Sequence, residues 1–415
     1  MKNEVLVKYS AFLMSLLIGE MVAGNWLPLY AVRFFYPLLI VSIYTRKFTL
    51  IKGSILYYIS ILIFLIYSIF DIGNPLIKAE VINIVWWLTF SFILNSILEN
   101  KNDFYLFRLH LFRWVFVLTF IGSIVGIYKF YQLTNGIVWK SMIFIGDKGF
   151  ETFIPGTSLN ADYNIYSFGI FFGILSGWYL YLIEKVNRNK VFISIAMLIM
   201  NASALLSSSR RGFVVGLILL GLFMIINLKK RFTTKQEGKK NALPWLSILT
   251  ILFVFIFVTK ISIDTVSNNS NEIKQVVDRI NTVGEINEKE QDTRTPRWEY
   301  AFSLFLEHNI PQQLFGKGFY YIELIGNQFG EAKYDHPHNV YISALLYSGV
   351  VGLILLLIST FEAFKLYFSY RKVIGIMGVW FLLMLILNFS SSNSIFSTRI
   401  GVVLFSFANF NIFKK

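Results

Sequence analysis

Apolar stretches of bilayer-crossing length recur along almost the whole chain, separated by short polar breaks. A helix needs roughly 20 such residues to cross the hydrocarbon. On that measure the pattern predicts about twelve spans, at residues 9–23, 26–44, 54–70, 80–98, 111–130, 163–183, 191–207, 212–228, 244–260, 339–360, 373–390 and 394–412. The first follows Lys2 and Lys8 as a secretory leader would, but it lacks a small-residue cleavage site and a second run follows at once, so it reads as a helix. Two polar stretches, 131–162 and 261–338, exceed simple helix connections, and function is expected to gather there. The expected fold is all-α: a polytopic transmembrane bundle of about 12 spans with one long, partly helical outer loop. It divides into N-terminal spans (1–130), spans carrying an Arg-rich link (131–260), the long outer loop (261–338) and C-terminal spans (339–415).

Within the long loop, 264–292 is polar and only weakly periodic. From Thr295 the pattern becomes helical: Thr295 suits an N-cap, Pro296 suits the first turn, and Trp298, Phe302 and Phe305 fall on one stripe. That stripe either lies on lipid or packs against the ends of other helices. The glycines of Leu314-Phe315-Gly316-Lys317-Gly318-Phe319 permit tight turns but lack the strand and helix around a phosphate-binding loop. No EF-hand, Walker or HExxH pattern occurs, and no short repeat stands out. The loop closes on Asp335-His336-Pro337-His338-Asn339, where the next apolar run begins.

Composition agrees with a membrane protein: 55% of residues are apolar and 18% aromatic. Cysteine is absent, which excludes disulfides and thiolate metal sites. A net charge of +14 would point to nucleic acid in a soluble protein. Here its distribution gives a different reading, since 22 of the 38 basic residues fall in alternate links. These include Arg46, Lys47 and Lys52; Lys101, Arg108 and Arg113; the lysine-rich 229–240 stretch; and terminal Lys414 and Lys415. By the positive-inside rule both termini are cytoplasmic, and the 261–338 loop is periplasmic or extracellular. No nucleic-acid partner is implied, and the expected location is the plasma (inner) membrane.

Candidate chemistry follows from that topology. Ser207-Ser208-Ser209-Arg210-Arg211-Gly212 sets two guanidinium groups at the start of a helix on the outer side. Permanent charge, bidentate geometry and free backbone N–H groups there all favour phosphate oxygens. The competing reading is two arginines snorkelling to headgroups. Arg33 lies inside the second span, where a charge is costly unless paired or hydrated, and it is a candidate lining residue. His110 and His308 read as solvated surface. His336 and His338 sit at the mouth of a span, and imidazole is the side chain best suited to moving protons near neutral pH. Their alternation about Pro337 turns the rings in different directions, and His338 is preferred because Asn339 can cap the helix behind it.

Together these residues resemble the O-antigen polymerase and ligase superfamily of bacterial envelope glycan enzymes. The likeness is carried by Gly156-Thr157 through Asp162-Tyr163-Asn164, the Ser-Ser-Arg-Arg-Gly link, the Arg297-Trp298 helix leading to Gly316-Lys317-Gly318, and Pro337-His338-Asn339 with Tyr341 and Gly349-Val350-Val351-Gly352. It covers roughly residues 150–360. The resemblance implies a metal-independent membrane glycosyltransferase, without a cofactor, that takes an undecaprenyl-diphosphate-linked glycan at the outer face and passes it to a hydroxyl. By motif, Arg210 and Arg297 correspond to the family's functional arginines and His338 to its histidine. Arg211 is an additional basic residue, and Asn164 a further polar one. Arg211, Arg33, Asn164, His336 and Asn339 are thus expected to contact substrate.

On that reading the arginines stabilise the departing diphosphate while His338 takes the proton of the attacking hydroxyl, inverting the anomeric carbon. The roomy outer loop favours a polymerase, which holds two lipid-linked glycans, over a ligase acting on lipid A-core. A flippase is the alternative from another class, and a purely structural assembly role is a third. Membrane lipids and a chain-length regulator are the other expected partners.

Overall fold

The computed structural model describes residues 2–23, 90, 93–94, 97–98, 100–134, 143–145, 151–153, 163–207, 209, 215–216, 218–219, 221, 294–329, 335–369 and 376–390. Their helices are α1 (Lys2–Ala23), α2 (Lys101–Thr134), α3 (Tyr163–Ile183), α4 (Asn187–Leu206), α5 (Thr295–Leu306), α6 (Ile310–Phe315), α7 (Tyr321–Phe329), α8 (Val340–Ser369) and α9 (Met377–Ser390), with a 3₁₀ turn at Gly318–Tyr320. Among these residues α1, α2, α3, α4 and α8 contain stretches long and apolar enough to cross a membrane, and α9 holds a shorter apolar one. This is a multi-pass membrane protein. The sequence-expected spans at 26–44, 54–70, 244–260 and 394–412 lie outside the described residues, as does most of those at 80–98 and 212–228.

α2 is longer than the 111–130 span read from the apolar run. Asn100 opens it by accepting the Asp103 N–H at 2.9 Å, as an N-capping side chain does. Arg108, expected in a link, is instead buried within the helix. It donates to Tyr179 Oη at 3.0 Å, and its guanidinium lies 5.0 Å from the ring centroids of Tyr105 and Tyr179. Aromatic faces hold the charge there.

α1 to α4 pack together through small residues. On α3, Gly169, Gly173 and Gly177 form an i, i+4 row. A Cβ on Gly177 would lie 2.6 Å from Phe116 and 2.9 Å from Met197, so α2 and α4 approach the bare backbone. α9 joins this bundle through buried Trp380, whose ring centroid lies 4.9 Å from Phe112 and 5.3 Å from Phe172. Tyr367 of α8 stacks on Phe381 at 4.8 Å. The last helices thus share one core with the first.

The expected all-α class needs one addition. In the 131–162 stretch, β1 (Ile143–Ile145) and β2 (Glu151–Phe153) form an antiparallel ribbon, pairing Ile143 with Phe153 and Ile145 with Glu151. β-branched and aromatic residues favour extended pairing, and Gly146 and Gly149 lie between the strands in sequence.

Candidate active site

α5 positions one side of the site. Arg294 is its N-cap, with Thr295 already inside the helix and Pro296 in the first turn, so the cap falls one residue before the expected Thr295. The buried face runs through Arg297, Ala301 and Leu304, at i, i+4 and i+7. The expected Trp298–Phe302–Phe305 stripe is therefore rotated: Trp298 and Phe305 flank the buried line, and Phe302 is 48% exposed. An arginine takes the inward position because a carboxylate is waiting there.

That carboxylate is Asp335. Arg297 Nε donates to Asp335 Oδ2 at 2.9 Å, with the arginine side chain 2% exposed and the aspartate 13%. The guanidinium also lies 4.9 Å from the Phe329 ring centroid. The other oxygen, Oδ1, accepts the His336 N–H at 2.8 Å and lies 3.6 Å from His338 Nε2. That last separation is just beyond hydrogen-bond range.

The loop 335–339 is pinned along its length. Asp335 N–H donates to the Ile322 carbonyl at 3.1 Å. Buried His336 places Nδ1 3.5 Å from Tyr321 Oη. Trp298 Nε1–H donates to the Pro337 carbonyl at 2.7 Å. Asn339 caps α8, its Oδ1 accepting from the N–H groups of Tyr341 and Ile342 at 3.0 and 3.3 Å. Between these anchors His338 has φ of 53°, a left-handed backbone uncommon for a residue with a side chain. Its imidazole keeps 31% exposure. The ring is thus fixed in place yet open to an incoming group.

The two histidines therefore differ in kind. Burial, reinforced by neighbouring His338 and only partly opposed by Asp335, pushes His336 down to about 4, so it is neutral near pH 7. It is a packing member of the loop, whereas His338 is the accessible one.

Asn164, at the start of α3, belongs to a second constellation. Its Oδ1 accepts from Ser209 Oγ at 3.0 Å, and Ser167 Oγ lies 3.2 Å from Ser209 Oγ and 2.9 Å from the Asn164 carbonyl. Ser209 immediately precedes Arg210, so Asn164 holds the entrance of the Arg-rich link. Arg210, Arg211 and Arg33 themselves lie outside the described residues. The structure brings Arg297, His336, His338 and Asn339 into one cluster and Asn164 into another.

Sequence reasoning passed over Asp335 as a site residue. The available signal was an acid three positions before the preferred histidine, in the loop that holds three of the chain's four histidines.

Residues 195–357 match the family model described as O-antigen ligase. The stretch belongs to the O-antigen ligase and polymerase superfamily. It contains the Arg-rich link, α5, the pinned loop and the first half of α8, the features assembled above. The matched stretch covers less than half of the chain and lies among helices long and apolar enough to cross a membrane, so the likeness is to an O-antigen ligase domain in a membrane setting. No curated protein matches the chain.

Proposed function

We propose that the protein is a glycosyltransferase of the plasma membrane that polymerises undecaprenyl-diphosphate-linked repeat units into a surface polysaccharide at the outer face. The observation that carries this reading is the pinned loop, which presents one half-open imidazole beside a carboxylate at the entry of a span. His338 accepts the proton of the attacking sugar hydroxyl. That oxygen bonds to the anomeric carbon of the donor while the bond from that carbon to the diphosphate breaks from the opposite face. The anomeric configuration inverts, and the electron pair leaves with the diphosphate. Arg210 and Arg211, which the sequence sets just before an apolar run, offset the charge developing on the leaving group with phosphate-matched charge. Arg33 is a further candidate lining residue.

Arg297 acts one step away from the substrate in this reading. Its guanidinium is buried and committed to Asp335, so it holds the carboxylate, and the carboxylate steadies His338. Asp335 and Arg297 are positioning residues, while His338 is the catalytic base.

The test is purified protein in liposomes with short lipid-linked repeats. Longer glycans together with released undecaprenyl diphosphate support the polymerase. Transfer only when lipid A-core is supplied would make it a ligase, and a change of leaflet without new bonds would make it a flippase. His338→Ala should slow extension by a factor on the order of 10² to 10³ while the protein still inserts. Undiminished extension in that variant refutes the assignment.

A further inference from the structure

The corner between α5 and α6 exposes large apolar side chains that the protein does not cover: Phe302 48%, Leu306 72%, Ile310 73%, Leu314 42% and Phe315 48%. On a water-facing loop, a run of this density is unfavourable and marks an interaction surface. Its height relative to the spans identifies what covers it.

α6 is locked to α8 backbone to backbone. Gly316 and Gly349 both have positive φ, 85° and 66°. A Cβ on Gly349 would meet the Leu314 backbone and lie 2.6 Å from Gly316 N. Lys317 N–H donates to the Leu346 carbonyl at 3.2 Å. With no side chain between them, α6 sits at the level of Gly349, where α8 kinks.

That level can be measured along α8. From Gly349 to exposed Glu362 is roughly 20 Å, and to the helix end at Ser369 about 30 Å, at the ~1.5 Å helical rise. The hydrocarbon is about 30 Å thick. Whether Glu362 or Ser369 marks the far boundary, Gly349 lies inside the slab or at its near edge. The surface of α8 between them agrees: Ile354 is 49% exposed, Leu357 47% and Phe361 64%, an outward apolar stripe. Before the kink, by contrast, Ile342 to Gly349 is buried against protein.

We propose that the Phe302–Phe315 corner inserts into the leaflet on the His338 side of the membrane, with Leu306, Ile310 and Leu314 against the acyl chains. The occupant is lipid because the patch lies at the level of Gly349, next to where the outward apolar stripe of α8 begins at Ile354. α5 then runs from this lipid-held end to Trp298, which clamps the Pro337 carbonyl about 12 Å away along the helix. Insertion of the corner sets the depth of His338. If the transferase reading is right, that depth matches a diphosphate carried at the headgroup level.

The natural chain has no cysteine, so single-cysteine variants give unambiguous labels. Leu306→Cys, Ile310→Cys and Leu314→Cys, with exposed Glu299→Cys as the aqueous reference, would each carry an environment-sensitive fluorophore in phosphatidylglycerol–phosphatidylethanolamine liposomes. The first three should lose emission to nitroxide-bearing lipids and resist iodide, whereas the Glu299 label should respond to iodide. Iodide quenching at all three overturns the proposal. So does protection from both quenchers that disappears when the protein is diluted into excess lipid, the signature of a second copy covering the patch. These readouts need no glycan transfer, so they succeed or fail separately from the proposed activity.

Discussion

The ion pair between Arg297 and Asp335 yields the sharpest energetic expectation. Its nitrogen and oxygen lie 2.9 Å apart, and the two side chains are 2% and 13% exposed. Asp335→Asn removes the charge that balances a guanidinium enclosed beside Phe329, and breaking a buried pair from one side costs about 3–5 kcal/mol. The opposite change, Arg297→Met, strands a less isolated group: the carboxylate keeps the His336 N–H, some solvent and a neighbouring imidazole able to take a proton. Its cost should therefore be smaller, about 1–3 kcal/mol, the desolvation penalty of a group left short of one partner.

The double variant leaves no buried charge behind. Its cost should fall below the sum of the single costs by about 2 kcal/mol or more, within the range found for groups in one network. Equilibrium unfolding of the four proteins in mixed micelles gives the cycle directly. Single costs that add to within about 0.5 kcal/mol would mean that the pair is not a coupled unit, and the positioning role assigned to Arg297 would be lost with it. Glycan extension in the same variants supplies a second readout. Arg297→Lys restores charge without the planar fork, so it should recover more stability than activity.

Other perturbations probe the anchors around that pair. Gly349→Ala places a side chain at φ 66° and against the Leu314 backbone, adding strain and overpacking that total at least about 3 kcal/mol; thermal unfolding of the purified protein would register it, and a wild-type midpoint would contradict the close packing of α6 on α8. Trp298→Phe deletes the donor to the Pro337 carbonyl and should cost about 1 kcal/mol, with extension slowed more than stability alone accounts for. His336 is neutral in the fold and held down to about 4 against an ordinary 6.5. Its contribution is therefore intact above pH 6.5 and is lost as the pH falls through 4, a swing of up to about 3 kcal/mol. Unfolding measured across that window should show a steeper acid loss for the native chain than for His336→Gln, and parallel curves would rule the titration out.

How much of this was legible in the sequence depends on the distance over which each feature is encoded. Spans follow from local runs of apolar residues, and the cap at Asn339 and the turn at Gly316 from single residues with particular backbone habits. The Arg297–Asp335 pair joins residues 38 apart, and Asn164–Ser209 joins residues 45 apart; no local pattern announces either. The rotated face of α5 has the same origin. A stripe of Trp298, Phe302 and Phe305 reads by hydrophobicity alone as the face that meets lipid or other helices, but a buried carboxylate draws Arg297 inward and turns the helix so that Arg297, Ala301 and Leu304 are the buried line. Arg108 misled in a similar way, since a charge flanked by apolar residues reads as the edge of a span until Tyr105 and Tyr179 are seen to cover it.

One helix connects these levels. α8 begins at Asn339, whose side chain caps it and whose neighbour is His338; ten residues later it kinks at Gly349, where α6 docks; below the kink it faces outward with apolar side chains. Because α6 leads back into α5, and α5 carries both Arg297 and Trp298, the chain closes a circuit from span to corner to pinned loop and back to the same span. A shift of the α6 corner relative to α8 therefore cannot leave the imidazole where it was. Displacing it moves Trp298, and with it the Pro337 carbonyl that fixes the backbone immediately before His338. This coupling is why a buried arginine and a pair of glycines, none of them open to a substrate, belong to the physical account of the site as much as the histidine that is.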